Sequence, residues 1–98
     1  MHKSDENREY TFKIGTYVRK WRGLKGIKQK VLASQLNLSD AALSYIENDI
    51  TVPNLRQVED IARSLDISIE MLLYGPEVML QRMQEKMDEV NKDNIGFG

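Results

Sequence analysis

From residue 12 the chain carries apolar side chains at helical spacing. Ile14, Tyr17, Val18, Trp21 and Leu24 follow the i, i+3, i+4, i+7 stripe, and the basic residues fall mostly off it. Gly26 can take the left-handed position that closes a helix, so a first helix is expected over 13–25. Trp21 lies on the stripe and reads as a core anchor. A second helix is expected over 29–36, with Val31, Leu32, Ala33 and Leu36 inward. Asn37 ends it, because Asn ranks next to Gly in tolerating a left-handed turn. Ser39 supplies an N-cap and Asp40 a first-turn acid for a third helix over 40–48, anchored by Leu43 and Ile46. Residues 49–53 read as a loop. Asn54 caps a fourth helix over 55–65, with Leu55, Val58, Ile61, Ala62 and Leu65 on one face. A short fifth helix over 69–74 closes at Gly75.

Pro76 suits the first turn of a further, sixth helix. Leu80, Met83, Met87 and Val90 are spaced 3, 4 and 3 apart, a heptad a/d pattern over about two heptads. They form a candidate dimerisation seam. The alternative is a helix folded back on its own domain, since methionine-rich stripes also fill cores. Asn94-Ile95-Gly96-Phe97-Gly98 is a poor continuation of a helix. Residues 1–11 lack an apolar period and read as a mobile N-terminal arm, in which His2 has no evident role.

The pattern thus predicts an all-α chain. It divides into an arm (1–11), one domain (12–75) and a C-terminal helix and tail (76–98). A length of 98 residues supports one core. Apolar residues at 41% and charged residues at 30% exclude a disordered chain. The longest apolar run, Met71-Leu72-Leu73-Tyr74, is far below the ~18 residues that span a bilayer. No apolar stretch follows the charged N-terminus, so neither membrane nor secretion is expected, and the cytoplasm is the simplest compartment. With no Cys and a single His, disulfides, Cys-zinc sites, Cys nucleophiles and His-based triads are excluded. The acids have no spaced partner with a nucleophile, a Gly-rich loop or a metal signature, so no enzyme, cofactor or small-molecule ligand is expected.

Charge changes the picture. The net charge of −1 hides a block at 13–30 that holds Lys13, Arg19, Lys20, Arg22, Lys25, Lys28 and Lys30 and no acid. Residues 31–98 hold five bases against twelve acids. Such a block fits an anion-facing surface, and equally a solvated helix face.

The second and third helices, joined by Asn37-Leu38-Ser39, have helix-turn-helix proportions. Gln29, Ala33, Asn37, Leu43 and Ile46 stand at offsets 1, 5, 9, 15 and 18. Ala33 is small where the helices approach, and Leu43 and Ile46 anchor the third helix. Together with Ile14-Gly15, Arg19, Arg22 and the stretches GIKQKVLASQLNLS, LSYIEN, VPNL and IARSLDISIEMLLYG, this ordered set resembles the phage-repressor-like helix-turn-helix proteins of the Cro/C1 or XRE family over about residues 13–75.

The resemblance implies a five-helix lambda-repressor-like domain that binds double-stranded DNA as a homodimer, its third helix in the major groove. It implies phosphate contacts at Gln29, with Lys28 and Lys30 flanking it, and at Asn48 and Thr51. It implies base reading by Asp40, Ala41, Ala42, Ser44 and Tyr45, beginning next to Ser39. It pairs Arg22 with Glu47 as a structural link between the first and third helices. The chain departs from the family at Lys28, where a capping Ser, Thr or Asn is usual, so the second helix should start weakly. The reading set holds no Arg, Lys, Gln or Asn, so the common bidentate contacts to guanine and adenine are unavailable. The leading expectation is a sequence-specific repressor on a palindromic operator. The alternative is a protein-interaction module on the same fold with little DNA affinity.

Overall fold

The computed structural model describes residues 13–97, with side chains through Val90. The expected arm at 1–11, with His2, and the terminal Gly98 lie outside the described residues. Those residues form five helices and no strand: α1 (Ile14–Leu24), α2 (Gln29–Gln35), α3 (Asp40–Glu47), α4 (Leu55–Leu65) and α5 (Ile69–Phe97).

The helix ends follow local chemistry. Gly26 and Asn37 are left-handed, with φ of 70° and 59°. Lys28 gives α2 no side-chain cap. The Ser39 hydroxyl accepts the Ala42 N–H at 3.0 Å at the start of α3. Asn54 does more than cap α4. Its side chain accepts the Gln57 N–H at 2.8 Å, and the Gln57 side chain accepts the Asn54 N–H at 3.0 Å, a reciprocal capping box.

The C-terminal region differs from the sequence expectation. The fifth helix and the expected sixth run on as one element, Ile69–Phe97, in which Gly75 alone leaves helical geometry (φ 82°, ψ 164°), so two helical stretches meet at a kink with no loop between them. Pro76 follows directly and is compatible with a first helical turn, which lets the helix restart without a connecting loop. The helix also continues through Asn94, Ile95, Gly96 and Phe97. One glycine costs ~1 kcal/mol in a helix interior, too little to end it.

Val18, Leu32, Leu43, Ile61, Leu65 and Leu72 are fully buried at the centre, drawn from all five helices. Trp21 packs with them, and its indole N–H donates to the Met71 carbonyl at 2.8 Å. Two residues expected inward are not. Val31 is 46% exposed and Leu55 71%. Both lie at the edge of their apolar arc, and Leu55 is the first residue of α4, where no preceding turn covers it. Leu24, at the end of α1, is exposed as well.

The kink packs tightly on α1. A Cβ on Gly75 would sit 2.7 Å from the Tyr17 ring. Pro76 is buried and Met79 packs against the core. Lys20 Nζ lies 2.9 Å from Glu77 Oε2, and this hydrogen bond is the main reason the Glu77 carboxyl is held below its ordinary range. Across the kink, Arg82 reaches Glu70 at 3.3 Å and lies 4.7 Å from the centroid of the Tyr74 ring. From Leu80 to Val90 every residue is exposed, so this stretch is not folded back onto the domain.

Gly15 lies where α1 passes close against the last turn of α3. A Cβ there would lie 1.7 Å from the Ile46 carbonyl oxygen, a backbone atom that cannot swing away. Helix propensity alone favours Gly15→Ala by ~1 kcal/mol. The clash reverses the sign, and overpacking of this kind costs ~1–3 kcal/mol or more. Gly26→Ala meets open space and bears only the left-handed penalty of ~1–2 kcal/mol. Urea unfolding of both variants should therefore find both destabilised, with Gly15→Ala the worse. A Gly15→Ala protein as stable as the parent would refute the close approach.

Candidate nucleic-acid interface

The α2–α3 pair is set by a buried carboxylate. Glu47, at the end of α3, is 1% exposed. It accepts from Arg22 Nε at 2.8 Å, from Arg22 Nη2 at 3.0 Å and from Gln29 Nε2 at 3.1 Å. Arg22 Nη1 donates in turn to the Ile27 carbonyl at 2.9 Å. One carboxylate thus joins the C-terminal turn of α1, the start of α2 and the end of α3. At the other end of the motif Asn37 turns left-handed, and the Leu38 N–H donates to the Ala33 carbonyl at 2.9 Å. Ala33 is buried where the helices meet.

The residues expected to meet phosphate are distributed around this frame. Lys28 and Lys30 are exposed on either side of Gln29 at the start of α2. Gln29 is half-buried and gives one amide hydrogen to Glu47. An amide has two N–H donors and an acceptor, so a second donor remains for a phosphate. The Asn48 amide donates to the Ser44 carbonyl at 2.8 Å and lies 3.3 Å from the Ser44 hydroxyl. Thr51 is exposed, and its N–H donates to the Tyr45 carbonyl at 3.2 Å, folding the loop back on α3.

On α3, Asp40, Ala41 and Tyr45 are exposed, while Ala42 and Ser44 are half-buried. This face offers one carboxylate, one phenol, a hydroxyl already near Asn48 and two methyl groups. It is chemically sparse, and the cations close to it in sequence are those of α2. The seam residues Leu80, Met83, Met87 and Val90 stand apart on α5, between 54% and 61% exposed.

Sequence reasoning missed Asp49. It is left-handed (φ 58°), and its carboxylate accepts from the Gly15 N–H at 3.0 Å and from the Thr16 hydroxyl. The partners are more than 30 residues apart, so no local spacing announces them. The left-handed turn itself was open to inference, because Asp tolerates that region. No helix among the described residues is long and apolar enough to cross a membrane.

Comparison with known proteins agrees with this geometry. The family HTH_3, Helix-turn-helix, matches residues 18–72, more than half of the chain. No curated protein matches. The chain is similar to the solved structure of SinR, the master regulator for biofilm formation, in complex with DNA. They share 30% identity over 61% of this chain and 97% of that one, with a TM-score of 0.56. It is similar to the P22 c2 repressor in complex with a synthetic operator, at 28% identity over 64% and 96% of the two chains and a TM-score of 0.57. A hypothetical transcription factor, NHTF, from Neisseria matches at 28% identity over 72% and 80%, with a TM-score of 0.65. Two of these neighbours, a master regulator and a repressor, are solved in complex with DNA. Two short helices joined by a left-handed turn at Asn37, held at their other end by Arg22 and Gln29 on the buried Glu47 carboxylate and matched along residues 18–72, make this chain a member of the Cro/C1-type helix-turn-helix family HTH_3.

Proposed function

We propose that this protein is a sequence-specific transcriptional regulator, a repressor that binds a palindromic operator as a homodimer. The observation that carries the reading is the start of α2. Lys28 and Lys30 flank Gln29, whose amide keeps a free donor, at a helix N-terminus with no side-chain cap. Free N–H groups and nearby cations are what a phosphate requires. Asn48 and Thr51 would add contacts at the far end of α3, Thr51 through its hydroxyl and Asn48 by releasing an amide hydrogen from Ser44. Asp40, Ala41, Ala42, Ser44 and Tyr45 would face the bases. Asp40 can accept from cytosine N4, the alanines can touch a thymine methyl, and Ser44 can meet most base edges. Residues 12–75 would bind DNA, and α5 beyond Met79 would join two copies through Leu80, Met83, Met87 and Val90. With one α3 in each of two successive major grooves, half-sites would lie ~34 Å apart.

A protein-interaction module remains the second reading, favoured by one observation. The first turn of α3 offers an exposed acid, an exposed alanine and the half-buried Ala42, which repel or ignore the DNA backbone. Selection of bound sequences from a random DNA pool separates the two. Enrichment of a two-fold symmetric sequence is expected, and no enrichment at physiological salt would favour the protein-interaction reading.

Salt tests the lysines. Lys28 and Lys30 in both protomers would neutralise four phosphates, so log affinity should fall against log salt with a slope of about −3 to −4. The same titration with Lys28→Ala and Lys30→Ala combined should flatten, and a parent slope near zero would remove these lysines from the interface. Point variants separate reading from positioning. Lys30→Ala should weaken all sequences alike, whereas Ser44→Ala should act at one base position by ~1–3 kcal/mol. Asp40→Ala should either act at one position or, if its charge merely repels phosphate, tighten every sequence.

The assembly is tested by Met83→Glu with Met87→Glu. Both side chains are exposed in the monomer, so the domain should stay folded while the mass in solution falls from dimer to monomer. A dimer that survives both charges would place the interface elsewhere.

A further inference from the structure

Asp49 lies between Asn48 and Thr51, two of the proposed phosphate ligands, yet its carboxylate is engaged by α1. Oδ1 accepts the Gly15 N–H at 3.0 Å, and Oδ2 accepts the Thr16 hydroxyl. The first turn of α1 contains no acid, and its N-cap, Lys13, gives no side-chain cap. Asp49 therefore supplies from a distant turn the acceptor and the negative charge that this helix start lacks. The fit is close. A Cβ on Gly15 would meet Asp49 Oδ1 at 2.7 Å as well as the Ile46 carbonyl. The turn that follows α3 is thus fastened to α1 at a point where neither sequence neighbour of Asp49 makes such a contact: Asn48 bonds back to Ser44, and Ile50 is exposed.

We infer that Asp49 is a positioning residue for DNA binding. By holding the first turn of α1 it fixes where Asn48 and Thr51 stand relative to the phosphate backbone. This rests on the DNA-binding reading above. A carboxylate in a DNA-facing turn has two effects of opposite sign. Its charge opposes every DNA sequence equally, whereas its hydrogen bonds favour the one docking geometry in which the operator is read. Positioning can therefore be separated from charge by comparing an operator with an unrelated duplex.

The experiment uses the full chain, its selected operator and a random duplex of equal length. Asp49→Gly removes the carboxylate and tolerates φ 58° without steric penalty. Asp49→Asn keeps an acceptor for the Gly15 N–H and also tolerates the left-handed region. Thr16→Val removes one donor at nearly constant shape and serves where Asp49→Gly does not fold. Asp49→Gly is expected to lose about tenfold in operator affinity, the scale of a hydrogen bond to a charged group. Its affinity for the random duplex should hold or rise. Asp49→Asn should recover most of the loss, and Thr16→Val should show a smaller loss confined to the operator. Unchanged operator affinity in Asp49→Gly and Thr16→Val, or an equal loss on both duplexes with no rescue by Asn, overturns the positioning role while leaving the DNA reading intact. A parent protein that selects no DNA sequence overturns both.

Discussion

The arrangement of this domain turns on the carboxylate of Glu47. Burying an ionised carboxylate is unfavourable by several kcal/mol unless its oxygens are paired, and a lone charge there would not be tolerated. Here both oxygens are used. Arg22 presents two N–H groups of its planar fork, Gln29 adds a third donor, and the remaining guanidinium edge is taken up by the Ile27 carbonyl. The cluster is satisfied only when α1, the 25–28 turn, α2 and α3 are in one relative placement. Hydrophobic burial of Leu32, Leu43 and Ile61 supplies a non-directional driving force. The cluster supplies direction. It also orients Gln29, so a structural network and a proposed phosphate contact share one side chain.

A second fastening lies at the opposite end of α1, where Asp49 meets Gly15 and Thr16. Arg22 holds the end of α3 from one end of α1, and Asp49 holds the following turn from the other. Helix α3 is thereby clamped at its C-terminal side, while its N-terminal side, with Asp40 and Ala41, stays exposed. Such a frame can present a chemically sparse face accurately. With no long basic or amide side chain on that face, any sequence preference must come from short contacts and from DNA shape, both of which depend on placement.

Features governed by a few consecutive residues were open to inference from the chain. Asn37 turns left-handed because a two-helix motif needs a tight reversal there and Asn tolerates it. Ser39 and Asn54 cap helices because their side chains accept from the following turn. Periodicity was less sure at its edges. Val31 and Leu55 belong to apolar stripes by spacing, but a stripe's margins are covered only if a neighbour happens to lie there. Gly75 and Pro76 read as a break between two helices, and the chain does leave helical geometry at Gly75, but against Tyr17 the break narrows to a one-residue kink with no loop. Contacts between distant residues left no local mark. The Arg22–Glu47 pairing follows only from family likeness, and nothing in the spacing marks the Gln29 link to Glu47 or the reach of Asp49 from its loop to α1. In the proposed interface, the exposure of Lys28, Lys30, Asp40 and Tyr45 follows from helix phase. What each side chain already holds does not.

The dependence on Glu47 is open to a direct measurement, a double-mutant cycle on unfolding free energy with Arg22→Met, Glu47→Leu and the pair together. Arg22→Met strands the Glu47 carboxylate, 1% exposed, and should destabilise the domain by ~3 kcal/mol or more, whereas Glu47→Leu strands Arg22, 16% exposed and still bonded to the Ile27 carbonyl, and should cost less. The double variant leaves no stranded charge. It should cost less than the sum of the single changes by about 2 kcal/mol. Additive losses, or single variants within ~0.5 kcal/mol of the parent, would mean that this cluster does not set the placement of the three helices.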